Sequence, residues 1–261
     1  MLSILKKKII NAKLFLSPYP YLVINNFLPK NYLADLNKIL PSYQNLIGKD
    51  LLYQSASKTK KSIFPSSRQF KILNKKKSFR NLNLAFKNLQ PTLIKKFERE
   101  ITNYTKVGLK DIKLSYHFSY SVMKKGYLKS PHIDRRDHLI HGIFYPYSDH
   151  LNGGEILINE IKKKKKIYDI FPKKKDLKIN KFFKVKNNFC IFILNVPWSY
   201  HSVREYKSEK SRKYFYIAYD FKILEKGSIT KNRKKGFNSN LFWNDRVILK
   251  SKTRKNIFLS E

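Results

Sequence analysis

The spacing of apolar positions changes near residue 112, and with it the kind of element the chain predicts. Upstream, SPYPYLVINNFLP gives a short strand between prolines. KNYLADLNKIL after it carries apolar residues at helical spacing and is stopped by Pro41. Residues 48–75 are Ser/Lys-rich without periodicity, which predicts loop. SFRNLNLAFKNL then places Leu82, Phe86 and Leu89 on one helical face with Ser78 as N-cap, and Pro91 suits the first turn of a further helix, PTLIKKFEREITNY. From 112 to 222 the runs IKLSYHFSYSVM, HLIHGIFYPY, GGEILI, FFKV, NFCIFILN and RKYFYIAYDF are short, apolar or alternating, and broken by turns. That texture predicts an antiparallel sandwich or barrel. The insert at 160–176, containing KKKKKIYDIFPKKK, is expected to be a solvated loop or lid. The expected organisation is one structural domain in three parts: an N-terminal strand with supporting helices (1–111), a β core (112–222) and a basic extension (223–261) holding the apolar segment LFWNDRVIL.

Composition changes this picture in two respects. A chain of 261 residues with 42% hydrophobic and 15% aromatic residues can bury a sizeable core and is no disordered polyelectrolyte. The net charge of +38 has two readings. One is an anionic partner such as nucleic acid, acidic glycan or a lipid surface. The other is mutational bias: 46 of the 56 basic residues are Lys, and Asn, Ile, Phe and Tyr, which share AT-rich codons, are abundant too. Phosphate-reading surfaces lean more on Arg. The single cysteine, Cys190, excludes an intramolecular disulfide framework and a Cys-based zinc cluster, and within FCIFILN it is expected to be a small buried hydrophobe. The opening MLSILKKKIINAKLFL lacks the pattern of a signal peptide, and no window approaches the apolar length of a membrane span, so a cytoplasmic location is the expectation.

The candidate chemistry lies in SPHIDRRDHLIHGIFYPY. On a strand, residues i and i+2 face the same way, so His132 and Asp134 can present an imidazole and a carboxylate to one metal ion while Ile133 packs behind. A polar loop that happens to contain His-x-Asp is the plain alternative. Downstream, the buried-strand pattern NFCIFILN leads through Pro197 to WSYHSV and His201, and Arg212 opens an alternating strand eleven residues later. Two histidines and one carboxylate make the facial triad that suits non-haem Fe(II) and leaves three coordination positions open. An arginine deep in a barrel can grip a remote carboxylate in bidentate fashion.

His-x-Asp, an aromatic strand, Gly-Gly, then a distal His followed by a basic residue: this order resembles the Fe(II)/2-oxoglutarate-dependent dioxygenases, most closely the branch containing the prolyl 4-hydroxylases. The resemblance covers about residues 112–222 and extends to PYPYLVINNFLP. It implies a mainly β fold with α elements, a double-stranded β-helix (jelly-roll or cupin-like barrel) with N-terminal supporting helices. It also implies a hydroxylase using Fe(II), 2-oxoglutarate as co-substrate and O2, with ascorbate to maintain the iron. Carried over residue by residue, His132, Asp134 and His201 resemble the metal ligands, and Arg212 the partner of the far carboxylate of 2-oxoglutarate. Arg204 and Lys213 are fallbacks, with Lys213 on the opposite face by strand parity. Tyr145 and Tyr120 are the candidates for hydrogen bonding the co-substrate, and His141, four residues before Tyr145, for lining the pocket. His117, His138 and His150 are expected to be ordinary polar residues.

The substrate class stays open at this level: a prolyl or peptidyl side chain by analogy, or an acidic glycan, nucleotide-linked sugar or anionic protein by charge. Nucleic-acid demethylation is disfavoured, because RKYFYIAYDF lacks the second arginine that such oxygenases place shortly after the first. Two rivals stand beside the dioxygenase reading. One is a non-catalytic basic barrel binding nucleic acid or another anionic partner. The other is a cupin-like isomerase, whose extra His or Glu ligands HIDRRDH does not clearly supply.

Overall fold

The computed structural model describes residues 1–46, 58–105, 114–135, 138–148, 152–163, 167–169, 171–221 and 248–250. Helix α1 (Leu2–Asn11), strands β1 (Leu14–Phe15) and β2 (Tyr21–Ile24) and helix α2 (Lys30–Ile39) open the chain. Strand β3 (Lys60–Ile63) and helices α3 (Arg68–Lys75), α4 (Lys77–Asn88), α5 (Gln90–Lys96) and α6 (Glu98–Tyr104) follow. The remaining strands are β4 (Leu114–Met123), β5 (Lys129–His132), β6 (His138–Tyr147), β7 (Ile156–Ile161), β8 (Ile167–Asp169), β9 (Leu177–Phe183), β10 (Phe189–Leu194), β11 (His201–Val203), β12 (Arg212–Phe221) and β13 (Ile248–Lys250).

Seven strands form one sheet in the order β1-β2-β10-β6-β12-β4-β3, and four form a smaller one, β5-β11-β7-β9. The pairings within these two sheets are antiparallel, so both can be built from turns without crossover helices. Alternation along β12 decides which residues go where. Phe215, Ile217 and Tyr219 face the helices, while Arg212, Tyr214 and Tyr216 face the interior between the sheets.

The helical side is sealed by a phenylalanine cluster. Phe118 stacks on Phe215 (centroids 5.1 Å apart), and Phe79 of α4 meets both rings at 5.8 and 5.6 Å. Phe27, Phe86, Phe144 and Phe192 continue the cluster towards β10. Gly142 of β6 is what lets Phe192 lie flat there, since a Cβ at that position would come within 2.6–2.7 Å of the ring. Burying these aromatics is the main driving force visible in the fold, each fully buried ring contributing about 1.5–3 kcal/mol.

Several sequence expectations hold and others do not. Helix α2 ends before Pro41, Pro91 lies in the first turn of α5, and β10 is buried at every position with Cys190 inside it. Within the stretch expected to be loop, residues 58–75 instead supply β3 and α3. Strand β3 has no periodicity of its own to reveal it; pairing with β4 from Lys60↔Met123 to Ile63↔Tyr120 stabilises it. Ser78 is not a cap: α4 begins at Lys77, one residue before it. Ser67 caps α3 instead, its hydroxyl accepting from the Phe70 amide at 3.3 Å. PTLIKKFEREITNY is two short helices rather than one, parted at Phe97. In the 160–176 insert, the described residues form the end of β7, strand β8 and a single 3-10 turn at Lys174–Asp176. Most of LFWNDRVIL lies outside the described residues; β13, at its end, pairs in parallel with β8.

Candidate metal centre

Strands β5 and β11 are neighbours, and their register sets His132 directly opposite His201. Cross-strand pairing thus brings together two residues far apart in sequence, with ring centroids 4.4 Å apart. Asp134 lies just beyond β5, held there from both sides. Ile133 between them is buried against Leu177 and Tyr200, which anchors the chain between the two polar residues. The Asn195 amide then pins the next stretch, donating to the carbonyls of Arg135 (2.7 Å) and His138 (3.1 Å). The Tyr19 hydroxyl donates to the Tyr200 carbonyl at 2.6 Å, fixing the residue before His201.

One ligand atom from each of His132, Asp134 and His201 lies within 4.8 Å of the others. Asp134 Oδ1 is 3.2 Å from His132 Nε2 and 3.6 Å from His201 Nε2. Both imidazoles have their tautomer set locally. His132 Nδ1 is 2.9 Å from the Ser130 carbonyl and His201 Nδ1 is 3.1 Å from the Ser199 carbonyl. A carbonyl only accepts, so each Nδ1 carries a proton, which leaves Nε2, on the carboxylate side, as the nitrogen each ring would offer a metal. Three electron-pair donors therefore converge in a buried place, with no cation among the described residues between them. That donor set fits a divalent metal bound on one face, and two imidazoles with one carboxylate suit iron.

The electrostatics agree. Burial pushes the pKa of His201 down to about 3 and that of His141 to about 4, with neighbouring imidazoles adding to the effect, so both are neutral at physiological pH. Burial works to raise the Asp134 pKa, but the surrounding imidazoles of His141, His201 and His132 outweigh it and hold the carboxyl well below its usual range. The result at physiological pH is an ionised carboxylate beside the neutral imidazole of His201, the protonation state a metal requires of both.

The carboxylate's second oxygen faces other partners. Asp134 Oδ2 accepts from the Tyr216 hydroxyl at 2.8 Å and lies 3.5 Å from His141 Nδ1. His141 is fully buried and stacks on the Tyr216 ring, and neither of its ring nitrogens has a hydrogen-bond partner.

A cavity of about 250 Å³ opens over the three residues. Tyr145, Tyr127, Tyr214, Tyr216, Ile143 and Phe171 give it an aromatic and apolar lining. Lys60, Lys129 and Arg135 also line it, and Asp134 is the one acid among its described lining residues. Lys129 has its pKa lowered by desolvation and by Lys60, with Asp134 opposing.

Arg212 is fully buried but is not among the cavity-lining residues. Its guanidinium donates to the carbonyls of Gly154 (2.5 Å) and Gly153 (3.1 Å) and lies over the rings of Tyr206 (4.3 Å) and Tyr145 (5.6 Å). The Gly-Gly pair has a physical reason here. Both glycines have positive φ, and a Cβ on Gly154 would sit 2.3 Å from Arg212 Nη1.

The sequence-predicted residues therefore divide. His132, Asp134 and His201 come together, with His141 and the cavity-lining Tyr145 beside them. Arg212 reaches the back of Tyr145 with Nη1 and Nη2 bonded to glycine carbonyls. Tyr120 is on the wrong face of the sheet. It pairs opposite Phe215, packs on that ring, and donates its hydroxyl to the Pro41 carbonyl at 2.7 Å. Its parity with Phe118 and Val122 already carried that information. Lys213 points away as expected, donating to the Leu40 carbonyl at 2.8 Å, and Arg204 lies over Phe182. His138 pairs with Asp220 at 2.5 Å and His117 packs against Phe64 and Tyr216, while His150 lies outside the described residues. Sequence reasoning missed Tyr216, although it shares the parity of Arg212 on the same strand. Lys60 escaped notice because its segment was expected to be loop.

No protein-family model and no curated protein matches the sequence. Among solved structures, a prolyl-4-hydroxylase from Pseudomonas putida superposes with a TM-score of 0.51 at 10% identity, covering 85% of this chain and all of that one. A viral collagen prolyl hydroxylase from Paramecium bursaria Chlorella virus-1, in complex with 2-oxoglutarate, gives 0.46 at 12% identity over 78% of this chain and 96% of that one. The non-haem α-ketoglutarate-dependent epimerase of nogalamycin biosynthesis gives 0.48 at 9% identity over 84% and 83%. The chain folds as a double-stranded β-helix, the architecture it shares with the Pseudomonas enzyme. No helix among the described residues is long and apolar enough to cross a membrane.

Proposed function

We propose that the chain is an Fe(II)- and 2-oxoglutarate-dependent dioxygenase that hydroxylates a C–H bond of an organic substrate. His132, Asp134 and His201 would hold the iron. The observation that carries this reading is the convergence of Asp134 Oδ1 with two Nε2 lone pairs whose tautomers are fixed by the Ser130 and Ser199 carbonyls. When bound, Fe(II) with 2-oxoglutarate supplies the oxidising power: the co-substrate leaves as succinate and CO2 and one atom of O2 enters the substrate as hydroxyl.

The chain's own residues bind, orient and exclude water. His132, Asp134 and His201 would hold the metal next to the cavity, where substrate and co-substrate could reach it. The far carboxylate of 2-oxoglutarate is assigned to the Tyr145 end. There Arg212 provides a fixed positive charge behind the ring, and Lys60 and Lys129 add charge from the walls. The tyrosines, with Ile143 and Phe171, would limit water at the reacting region. Of the substrate classes left open by the sequence, Arg135, the lining cation not already assigned to the co-substrate, favours a substrate bearing negative charge over a neutral prolyl peptide.

The test is an anaerobic titration of metal-free protein with Fe(II) and then 2-oxoglutarate, following the visible charge-transfer band of the chelate. Wild type should develop the band, His132→Ala should lack it, and Arg212→Ala should need more 2-oxoglutarate to reach it. A folded wild-type protein without a band sinks the reading, and salt-sensitive nucleic-acid retention without metal dependence would then favour the basic binding module.

A further inference from the structure

The two oxygens of Asp134 have different surroundings, and this separation goes beyond what holding a metal needs. Oδ1 faces the two Nε2 atoms; Oδ2 faces Tyr216 and His141. Resting on the metal-site reading above, we propose that His141 is a positioning residue which, with Tyr216, engages Asp134 Oδ2 so that the carboxylate meets the metal through Oδ1 alone.

His141 is the observation that calls for explanation. It has no solvent exposure, and neither ring nitrogen is hydrogen-bonded. A buried polar group without a partner is rare enough to require a role. Its position supplies one. The ring is 4.9 Å from that of His201 and nearly parallel to Tyr216, 14° between planes. Its Nδ1 lies 3.5 Å from Oδ2, just outside good hydrogen-bonding distance. A neutral imidazole has one N–H, and the only acceptor facing Nδ1 in that group is the carboxylate, so the proton belongs on Nδ1. A modest inward shift of the carboxylate closes the gap.

The consequence is a coordination number. A carboxylate free to chelate would take two metal positions, leaving two for everything else. With Oδ2 bonded to the phenol and engaged by the imidazole as proposed, Asp134 would take one position and three would stay open, the number needed for a bidentate oxo acid together with O2. Strand β6 presents His141, Ile143 and Tyr145 on one face, so the residue that sets the ligand and the residue lining the co-substrate end share an element.

The test uses Co(II), whose absorption reports coordination number, titrated into full-length metal-free protein. His141→Leu should weaken Co(II) binding about 10- to 100-fold and, by freeing Asp134 to chelate in place of a water, alter the ligand-field spectrum. His141→Asn, whose amide nitrogen falls near the position of Nδ1, should recover most of the affinity. His141→Gln, which reaches past it, should not. Tyr216→Phe should produce a loss of the same kind. Wild-type affinity and spectrum in His141→Leu would overturn the proposal while leaving the metal site standing. If that variant does not fold, equal affinities for the Asn and Gln variants would overturn it instead. Failure of the wild-type protein to bind Co(II) would remove the metal site and this proposal together.

Discussion

Replacing Gly154 by alanine should destabilise the protein by about 3–5 kcal/mol through a single contact. Two costs combine. At φ +73° an L side chain is strained, which costs roughly 1–2 kcal/mol. The added Cβ would also lie 2.3 Å from Arg212 Nη1 and 2.8 Å from Cζ, distances no packed pair tolerates, so the guanidinium must leave. It is fully buried, and displacing Nη1 breaks its hydrogen bond to the Gly154 carbonyl, worth about 1.5–3 kcal/mol because the donor is charged. Urea unfolding of four proteins separates the two costs: wild type, Gly154→Ala, Arg212→Ala and the double variant. With Arg212 already gone, the glycine substitution should cost only its backbone strain, giving a coupling of about 2–3 kcal/mol. A Gly154→Ala cost below about 1 kcal/mol, or a coupling near zero, would show that the guanidinium does not rest on this glycine.

Other consequences can be checked alongside. His201 and His141 titrate near 3 and 4 in the folded state against about 6.5 unfolded, so below pH 6.5 the unfolded chain takes up protons that the native state refuses. Stability of the metal-free protein should therefore fall as pH drops from 6.5 towards 4, with a slope approaching about 2.7 kcal/mol per pH unit for the two groups; the depressed Asp134 acts with the same sign at lower pH. A urea midpoint that stays flat from pH 7 to 5 would contradict the buried neutral imidazoles. Phe118→Ala, in the centre of the aromatic cluster, should cost about 3–5 kcal/mol, whereas Phe182→Ala, half exposed on β9, should cost less than about 1 kcal/mol; similar melting temperatures for the two would refute the placement of the core. Once a substrate is found, its KM should rise steeply between 50 and 200 mM salt if Lys60, Lys129 and Arg135 contact an anionic group, and a salt-independent KM would exclude that contact.

How much of this was legible in the sequence follows from which interactions fix each element. Strands whose own alternation encodes burial, such as β10 and β12, could be read directly, and with them the opposed faces of Arg212 and Lys213. The His-x-Asp pair was legible because a single buried Ile133 separates two inward polar residues. Strand β3 was not, since KKSI owes its conformation to β4, and the break at Phe97 lies inside an uninterrupted helical pattern. Tyr120 was misplaced although its parity was visible, because analogy was allowed to outrank alternation. The engagement of Arg212 by glycine carbonyls had no sequence signal beyond the Gly-Gly pair itself.

The acceptors that orient His132 and His201 are main-chain carbonyls two residues upstream, at Ser130 and Ser199. A main-chain acceptor is present whatever side chain the residue bears, so no point substitution at 130 or 199 deletes it while the local backbone path survives. Orientation of the two imidazoles is thereby uncoupled from side-chain identity, unlike that of Asp134, which depends on a phenol that one mutation can remove. Under mutational drift, this centre should lose its carboxylate geometry before its histidine geometry.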